Sequence, residues 1–139
     1  MNDLIRQFKI FYSDFNKMDL DRIGDIYSDN IIFRDPIHEI RGLANLQSYM
    51  TEMGENVSEC RFEYLDVLAS DGIAYIKWNM HFRHPKLSPE MISVRGVSQL
   101  NFDERIYFHE DVYDMGAMIY EHVPIIGFTT RFLKKRLAG

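Results

Sequence analysis

The sequence predicts an α+β domain, a cone-shaped roll in which three N-terminal helices cover the concave face of a curved antiparallel sheet, with a C-terminal helical tail. Apolar residues recur at helical spacing in the first part of the chain and switch to strict alternation from Cys60 onward. Helices segregated in this way pack on one side of an antiparallel sheet. The composition is also weighted toward bulk, with 10 Phe, 8 Tyr, 1 Trp and 8 Met in 139 residues. Three helices against a strongly curved sheet leave an open mouth, and this surplus either fills the interior or lines an apolar cavity.

Leu4, Phe8, Phe11 and Phe15 share one helical face, which predicts a helix over Asp3 to Lys17. Leu20, Ile23 and Tyr27 mark a second, with Asp19 as its N-cap. Asn30 to Asp35 reads as a short strand that stops at Pro36, because the residue before proline is biased away from helix. After the break at Arg41-Gly42, Leu43, Leu46, Met50 and Met53 give a third helix ending near Gly54. Arg61 to Leu68 is the first long strand, and Ser70-Asp71-Gly72 is a turn. In the next strand Ile76, Trp78, Met80 and Phe82 alternate with Lys77, Asn79, His81 and Arg83, so one face is apolar and the other wet. Ile92 to Phe102 and Arg105 to Asp114 complete the sheet, with Gly96 a possible bulge position. Helical patterns return over Met115 to His122 and Phe128 to Leu137, interrupted by Pro124 and Gly127.

Charge and cysteine content exclude several classes. With 16 basic and 21 acidic residues the net charge is −5, against the basic surplus of a nucleic-acid binder. Cys60 is the only cysteine, so no intramolecular disulfide forms, which fits a reducing compartment. Charges interrupt Met1 to Lys9, leaving no signal-peptide core, and the apolar run Val123 to Phe128 is far too short to span a bilayer. The expectation is a soluble, cytoplasmic protein. No metal site stands out, since His109 and Asp111 share a strand face without a third ligand, and His81 and His84 fall on opposite faces. No Gly-rich phosphate loop is present, and no cofactor is expected.

Two stretches carry a resemblance to a known superfamily. The first runs from Leu20 to Pro36, Leu-Asp-Arg-Ile-Gly-Asp-Ile-Tyr-Ser-Asp-Asn-Ile-Ile-Phe-Arg-Asp-Pro, followed by Arg41-Gly42 at the start of the third helix. The second is His109-Glu110-Asp111-Val112-Tyr113-Asp114. Together they resemble the nuclear-transport-factor-2-like superfamily, in its SnoaL-like and ketosteroid-isomerase-like branch, over residues 1 to about 116. The resemblance implies the cone fold for residues 1–116, a homodimer and an apolar pocket. Residues 117–139 depart from it and read, from their own pattern, as a basic amphipathic tail packed on the same domain. Asp35 stands where ketosteroid isomerases place their proton-shuttling aspartate. Phe11, with Tyr12 beside it, stands where they place a tyrosine donor, and Ser98 where they place a protonated aspartate. Asp111 is similar in position to the last-strand aspartate of the superfamily's epoxide hydrolases, but neither neighbouring strand offers an inward Arg-x-Asp.

If Ile76, Trp78, Met80 and Phe82 face the interior, so by analogy do His109, Asp111 and Tyr113. Carboxylates and an imidazole at an apolar cavity are the material of general acid–base chemistry. Asp35, His109 and Asp111 are therefore the candidate catalytic residues, and Tyr12, Tyr27, Trp78, Met80, Phe82, Ser98 and Tyr113 the candidate ligand-binding residues. Each has a structural alternative: Asp35 braces the Pro36 turn, His109 and Asp111 pair to tie the sheet together, and the Trp78-Met80-Phe82 stripe is core. His38 is expected on an exposed loop. Three functions stay open: a cofactor-free isomerase, cyclase or hydrolase acting on a small hydrophobic molecule, a carrier or sensor using the same cavity, and a dimerisation module with a filled cone. Phe128 to Gly139 carries Arg131, Lys134, Lys135 and Arg136 without an acidic residue. That tail packs on its own domain or partner, or makes weak contact with an anionic membrane surface.

Overall fold

The computed structural model describes residues 3–118 and 124–138. Helix α1 (Asp3–Tyr12) buries Leu4, Ile5, Phe8 and Tyr12. At roughly 1.5–3 kcal/mol for each large apolar side chain removed from water, this face secures the helix to the sheet. The helix is shorter than its apolar spacing predicts. Ser13 Oγ donates to the Ile10 carbonyl at 2.9 Å, and Asp14 turns extended, bridging to Arg61 and capping a 3-10 turn at Phe15–Lys17. Asp19 caps as expected, but it caps a 3-10 turn (Leu20–Arg22) that leads into a single α-turn, α2 (Ile23–Ile26). Tyr27 leaves that turn in extended conformation and begins β1 (Tyr27–Arg34).

A strand that the sequence pattern does not reveal follows, β2 (Glu39–Arg41), too short to show a period. Gly42 then takes φ 92°, a conformation favouring glycine, and opens α3 (Leu43–Asn56). The long strands are β3 (Glu59–Ser70), β4 (Ile73–Arg83), β5 (Ile92–Phe102) and β6 (Ile106–Tyr113). They assemble with β1 and β2 into a six-stranded sheet of order β2-β1-β6-β5-β4-β3. The pairs are antiparallel except β1 with β6, which is parallel, so the sheet is mixed rather than wholly antiparallel. Along β5, Ile92, Val94, Gly96, Ser98, Leu100 and Phe102 are buried, while Ser93, Arg95 and Val97 are exposed. The inward set of β4 and the inward His109 and Asp111 of β6 follow the same alternation.

Gly96 is not a bulge. It pairs directly with Trp78 in an unbroken β4–β5 register, and a Cβ there would lie 2.2 Å from the Trp78 ring. The missing side chain makes room for the indole. The register instead shifts between Tyr64 and Asp66, between Asn101 and Phe102, and between Tyr27 and Ile32.

The chain closes with α4 (Met115–Met118) and α5 (Pro124–Ala138). Residues 119–122 of the helix expected over Met115 to His122 lie outside the described residues. Pro124 opens α5 rather than breaking it, because the first turn of a helix needs no backbone donor there. Lys134 Nζ reaches Asp114 at 3.2 Å, tying α5 to the end of β6. Among the described residues no helix is long and apolar enough to cross a membrane.

Gly96→Ala is expected to push the Trp78 indole aside and to cost about 1–3 kcal/mol, the usual penalty of overpacking. Urea denaturation followed by Trp78 fluorescence measures it, and an unchanged midpoint and emission maximum would show that the indole has room to spare.

Candidate functional site

The cone encloses a cavity of about 500 Å³, lined by apolar residues that include Phe15, Phe33, Met53, Phe62, Trp78, Met80 and Phe82. The polar lining comes from Tyr12, Asp35, His38, Tyr49, Glu52, His84, Asp111 and Tyr113. No lysine or arginine lines it among the described residues.

Behind one wall runs a chain of buried hydrogen bonds. Tyr12 Oη lies 2.5 Å from Tyr27 Oη, and Tyr27 Oη lies 2.6 Å from His109 Nδ1. His109 Nε2 lies 2.7 Å from Asp111 Oδ1, which also accepts from Ser98 Oγ at 2.5 Å. Trp78 Nε1 donates to that same Ser98 oxygen at 2.8 Å. A carboxylate only accepts, so Asp111 sets the direction of the whole chain. His109 donates from Nε2, leaving Nδ1 to accept from Tyr27, whose oxygen accepts in turn from Tyr12. Every donor is then satisfied, as buried polar groups require.

The apolar core holds this chain in place. His109 is 2% exposed, lies parallel to Tyr27 at 11° and meets the edges of Phe33 and Phe8 at 4.9 and 5.4 Å. Burial pushes the Tyr12 and Tyr27 hydroxyls well above their ordinary value of 10.0. The same cause raises Tyr49, Tyr64 and Tyr113, and it pushes the Cys60 thiol up to about 12. These phenols therefore remain protonated and act as hydrogen-bonding groups, not as bases, at neutral pH.

The structure separates the sequence-predicted residues into two sets. Asp35, Asp111, Tyr12, Trp78, Met80, Phe82 and Tyr113 line the cavity. Tyr27, Ser98 and His109 do not, because Phe8, Phe33 and Tyr12 pack over the imidazole and Trp78 over Ser98. Asp35 is more committed than its place beside Pro36 suggests. Its Oδ1 accepts from the Ile37 and His38 amides at 2.8 and 2.6 Å, and its Oδ2 accepts from Tyr49 Oη at 3.1 Å. Asp111 is different, since its Oδ2 accepts no hydrogen bond among the described residues. Tyr12, rather than the adjacent Phe11, brings the α1 hydroxyl to the cavity. Sequence reading missed Tyr49, Phe62, Cys60 and His84 as lining residues. Tyr49 lies between Leu46 and Met50 on the inner side of α3, and inward alternation along β3, and continued past the end of β4, would have placed the others.

Residues 8–109 match the family of SnoaL-like domains. The chain belongs to that family. Its fold is that of a Shewanella putrefaciens CN-32 protein assigned as a SnoaL-like polyketide cyclase, at TM-score 0.71 and 18% identity over 85% of this chain and 94% of that one. It is also similar to an epoxide hydrolase from M. tuberculosis, at TM-score 0.70 and 14% identity over 95% and 94% of the two chains. A Catenulispora acidiphila DSM 44928 protein with a ketosteroid-isomerase-like fold, solved in complex with trimethylamine, gives 0.73 and 11% over 84% and 89%. No curated protein matches the chain by sequence. The SnoaL-like family includes polyketide cyclases, isomerases and hydrolases, so membership establishes the fold and leaves the reaction to the site.

Asp35→Ala is expected to lower stability by about 1 kcal/mol or more, because two amides and the Tyr49 hydroxyl lose their acceptor. Asp35→Asn, which keeps the Oδ1 acceptor, should cost less. Chemical denaturation of both variants tests this, and equal losses would count against the turn-bracing role.

Alkaline pH provides a second test. The thiol and phenols have folded values above their ordinary 9.0 and 10.0, so between the two values only the unfolded chain releases protons. Their contribution is fully present below pH 9 and is lost as pH rises toward the folded values. The unfolding midpoint should fall steadily from pH 9 to 11, and a flat profile would contradict the burial described here.

Proposed function

We propose that this SnoaL-like protein is a cofactor-independent enzyme that moves a proton on a small hydrophobic molecule held in the cone, with Asp111 as the general base and acid. One observation carries the reading: Asp111 presents one carboxylate oxygen fixed by His109 and Ser98 and another without a partner among the described residues, at the wall of an apolar cavity. A fixed carboxylate in low-dielectric surroundings is suited to taking a proton from carbon. On a ketone, the α C–H bond breaks and the proton goes to Asp111 Oδ2. The electron pair passes to the carbonyl oxygen; the proton on the Asp111 carboxyl group exchanges with solvent, and the carboxyl group then returns a solvent-derived proton to carbon as the carbonyl re-forms. Tyr113, the next inward residue on β6, lines the cavity and is the donor for the developing oxyanion. His109, Ser98 and Tyr27 are positioning residues that hold Asp111. Asp35 then serves chiefly as the brace of the rim, which departs from the expectation that it is the base.

The test is deuterium exchange at the α carbons of dodecan-2-one in D2O, followed by mass spectrometry, with Trp78 fluorescence reporting binding. The protein should accelerate exchange. Asp111→Asn should abolish the acceleration by a factor of 100 or more, on the order of a lost general base, while binding persists. Binding without exchange in the unmodified protein would replace the enzyme by the carrier reading.

We also propose a homodimer through the outer sheet face. Tyr75, Val97 and Val112 are exposed there at 44%, 38% and 62%. An open sheet face with apolar residues is commonly closed by a twofold partner. Light scattering should give twice the 16.5 kDa chain mass, and Val112→Asp should shift it toward monomer. A monomer at micromolar concentration would overturn the proposal. For the basic tail, the Lys134–Asp114 ion pair supports packing on its own domain over contact with a membrane surface.

A further inference from the structure

The charge of the cavity is a property that the acid–base reading leaves unused. Asp35 and Asp111 both line it. Asp35 is already answered: two amides, the Tyr49 hydroxyl and the His38 imidazole, 3.3 Å away, surround its oxygens. Asp111 is answered on one side only, by His109 and Ser98 at Oδ1. Both of those donors are neutral, since His109 Nδ1 accepts from Tyr27. Among the described residues no lysine or arginine lines the cavity, so Asp111 keeps a negative charge that no cation there offsets. Its field reaches the phenols around it. Burial is the main cause that raises the Tyr12, Tyr27, Tyr49, Tyr64 and Tyr113 hydroxyls, and the charge of Asp111 adds to it at each of them.

Beside that charge stand aromatic rings. Trp78 Nε1 donates at 2.8 Å to the Ser98 oxygen that itself donates to Asp111, so one serine separates the indole from the carboxylate. Tyr113 is the next inward residue of β6, and its ring lies 6.4 Å from the indole, tilted by 45°. Phe62 meets the indole edge to face at 5.1 Å. All three rings line the cavity with Asp111. The face of an aromatic ring is the negative pole of its quadrupole, and a cation within about 6 Å of the centroid is attracted to it. A carboxylate and such rings around one apolar space suit a cation that also has an apolar body. A bare metal ion is a poor match, because among the described residues no group of three or more His, Cys, Asp or Glu side chains could hold one. A primary ammonium is strongly hydrated and gives up that hydration on entry. Alkyl groups on the nitrogen shield the charge from water and pack against the rings. An anion would meet the field of Asp111 without relief.

We propose that the cavity selects a small organic cation, an amine with alkyl groups on its charged nitrogen, held between Asp111 and the Trp78 and Tyr113 rings. The proposal rests on the reading that Asp111 is an ionised carboxylate open to the cavity, and it adds the substrate class. On an α-ammonio ketone the positive nitrogen is bonded to the carbon that loses its proton. One carboxylate then both attracts the substrate and faces the C–H bond that breaks, with the electron pair passing to the carbonyl oxygen as before. The adjacent positive charge stabilises the carbanion character that develops.

The experiment compares phenyltrimethylammonium with tert-butylbenzene, which has the same shape without the charge, and with benzenesulfonate, by titration of Trp78 fluorescence in the full chain. The ammonium should bind roughly tenfold more tightly than its neutral counterpart, and the sulfonate most weakly. Asp111→Asn should bring the first two affinities together, whereas Asp111→Glu, which keeps the charge, should retain part of the difference. Tyr113→Leu should weaken the ammonium roughly threefold relative to tert-butylbenzene. Circular dichroism checks that the variants fold. Equal affinities for the ammonium and tert-butylbenzene in the unmodified protein, tightest binding of the sulfonate, or a preference for the ammonium that survives Asp111→Asn would each overturn the cation site. A preference for the ammonium without deuterium exchange on dodecan-2-one would uphold the cation site and overturn only the catalytic reading. Failure of all three probes to bind would overturn the cation site, and the exchange test would still judge Asp111 by itself.

Discussion

A buried imidazole with both nitrogens satisfied is the constraint on which the interior depends. His109 lies in an aromatic shell where an unmet hydrogen bond would cost about 1–3 kcal/mol. Meeting that demand ties together four separate parts of the chain. Tyr12 comes from the end of α1, Tyr27 from the start of β1, Ser98 from β5 and Asp111 from β6. The short extent of α1 and the abrupt change from α2 to β1 both make sense in this light. Each places a tyrosine at the end of an element, where its hydroxyl reaches inward.

The same chain explains why the interior is a cavity and not a filled core. Aromatic rings enclose His109 and its hydrogen bonds, and Tyr113, His84 and Cys60 are among the residues that line the cavity. The Gly96–Trp78 contact fixes one wall, since the indole fits only where β5 has no side chain. Trp78 in turn donates to Ser98, so the packing of the wall and the orientation of Asp111 are one arrangement. The two carboxylates near the cavity differ for a local reason. Asp35 sits at a turn whose amides converge on it, whereas Asp111 lies on a strand whose amides belong to the ladder.

Periodicity made much of the fold legible. Alternation from Ile76 to Arg83 and from Ile92 to Phe102 is produced by one covered face and one wet face; it held along β5, while in β4 Asn79, Met80 and His81 are all half-buried. The inward direction of His109, Asp111 and Tyr113 followed from the same period. Helix ends were less legible. The apolar spacing continues to Phe15, but Ser13 and Asp14 bond to the backbone and interrupt the helix, an effect that hydropathy does not carry. Three-residue β2 was too short for any period to register, and the parallel pairing of β1 with β6 leaves no local signature in either strand.

The sequence by itself determined the α+β class, the faces of the long strands, the family resemblance and the residue types available for chemistry. Tertiary structure alone decided which of those residues act together. Tyr27 and His109 lie 82 residues apart and meet at 2.6 Å, a contact set by how β1 docks beside β6. It also decided that Asp35 is occupied while, among the described residues, Asp111 keeps one oxygen without a partner. Periodicity reports which side of an element is dry, because that depends on near neighbours along the chain. Hydrogen-bond partnership depends on which distant elements arrive opposite, and that is settled only when the whole sheet has closed around its helices.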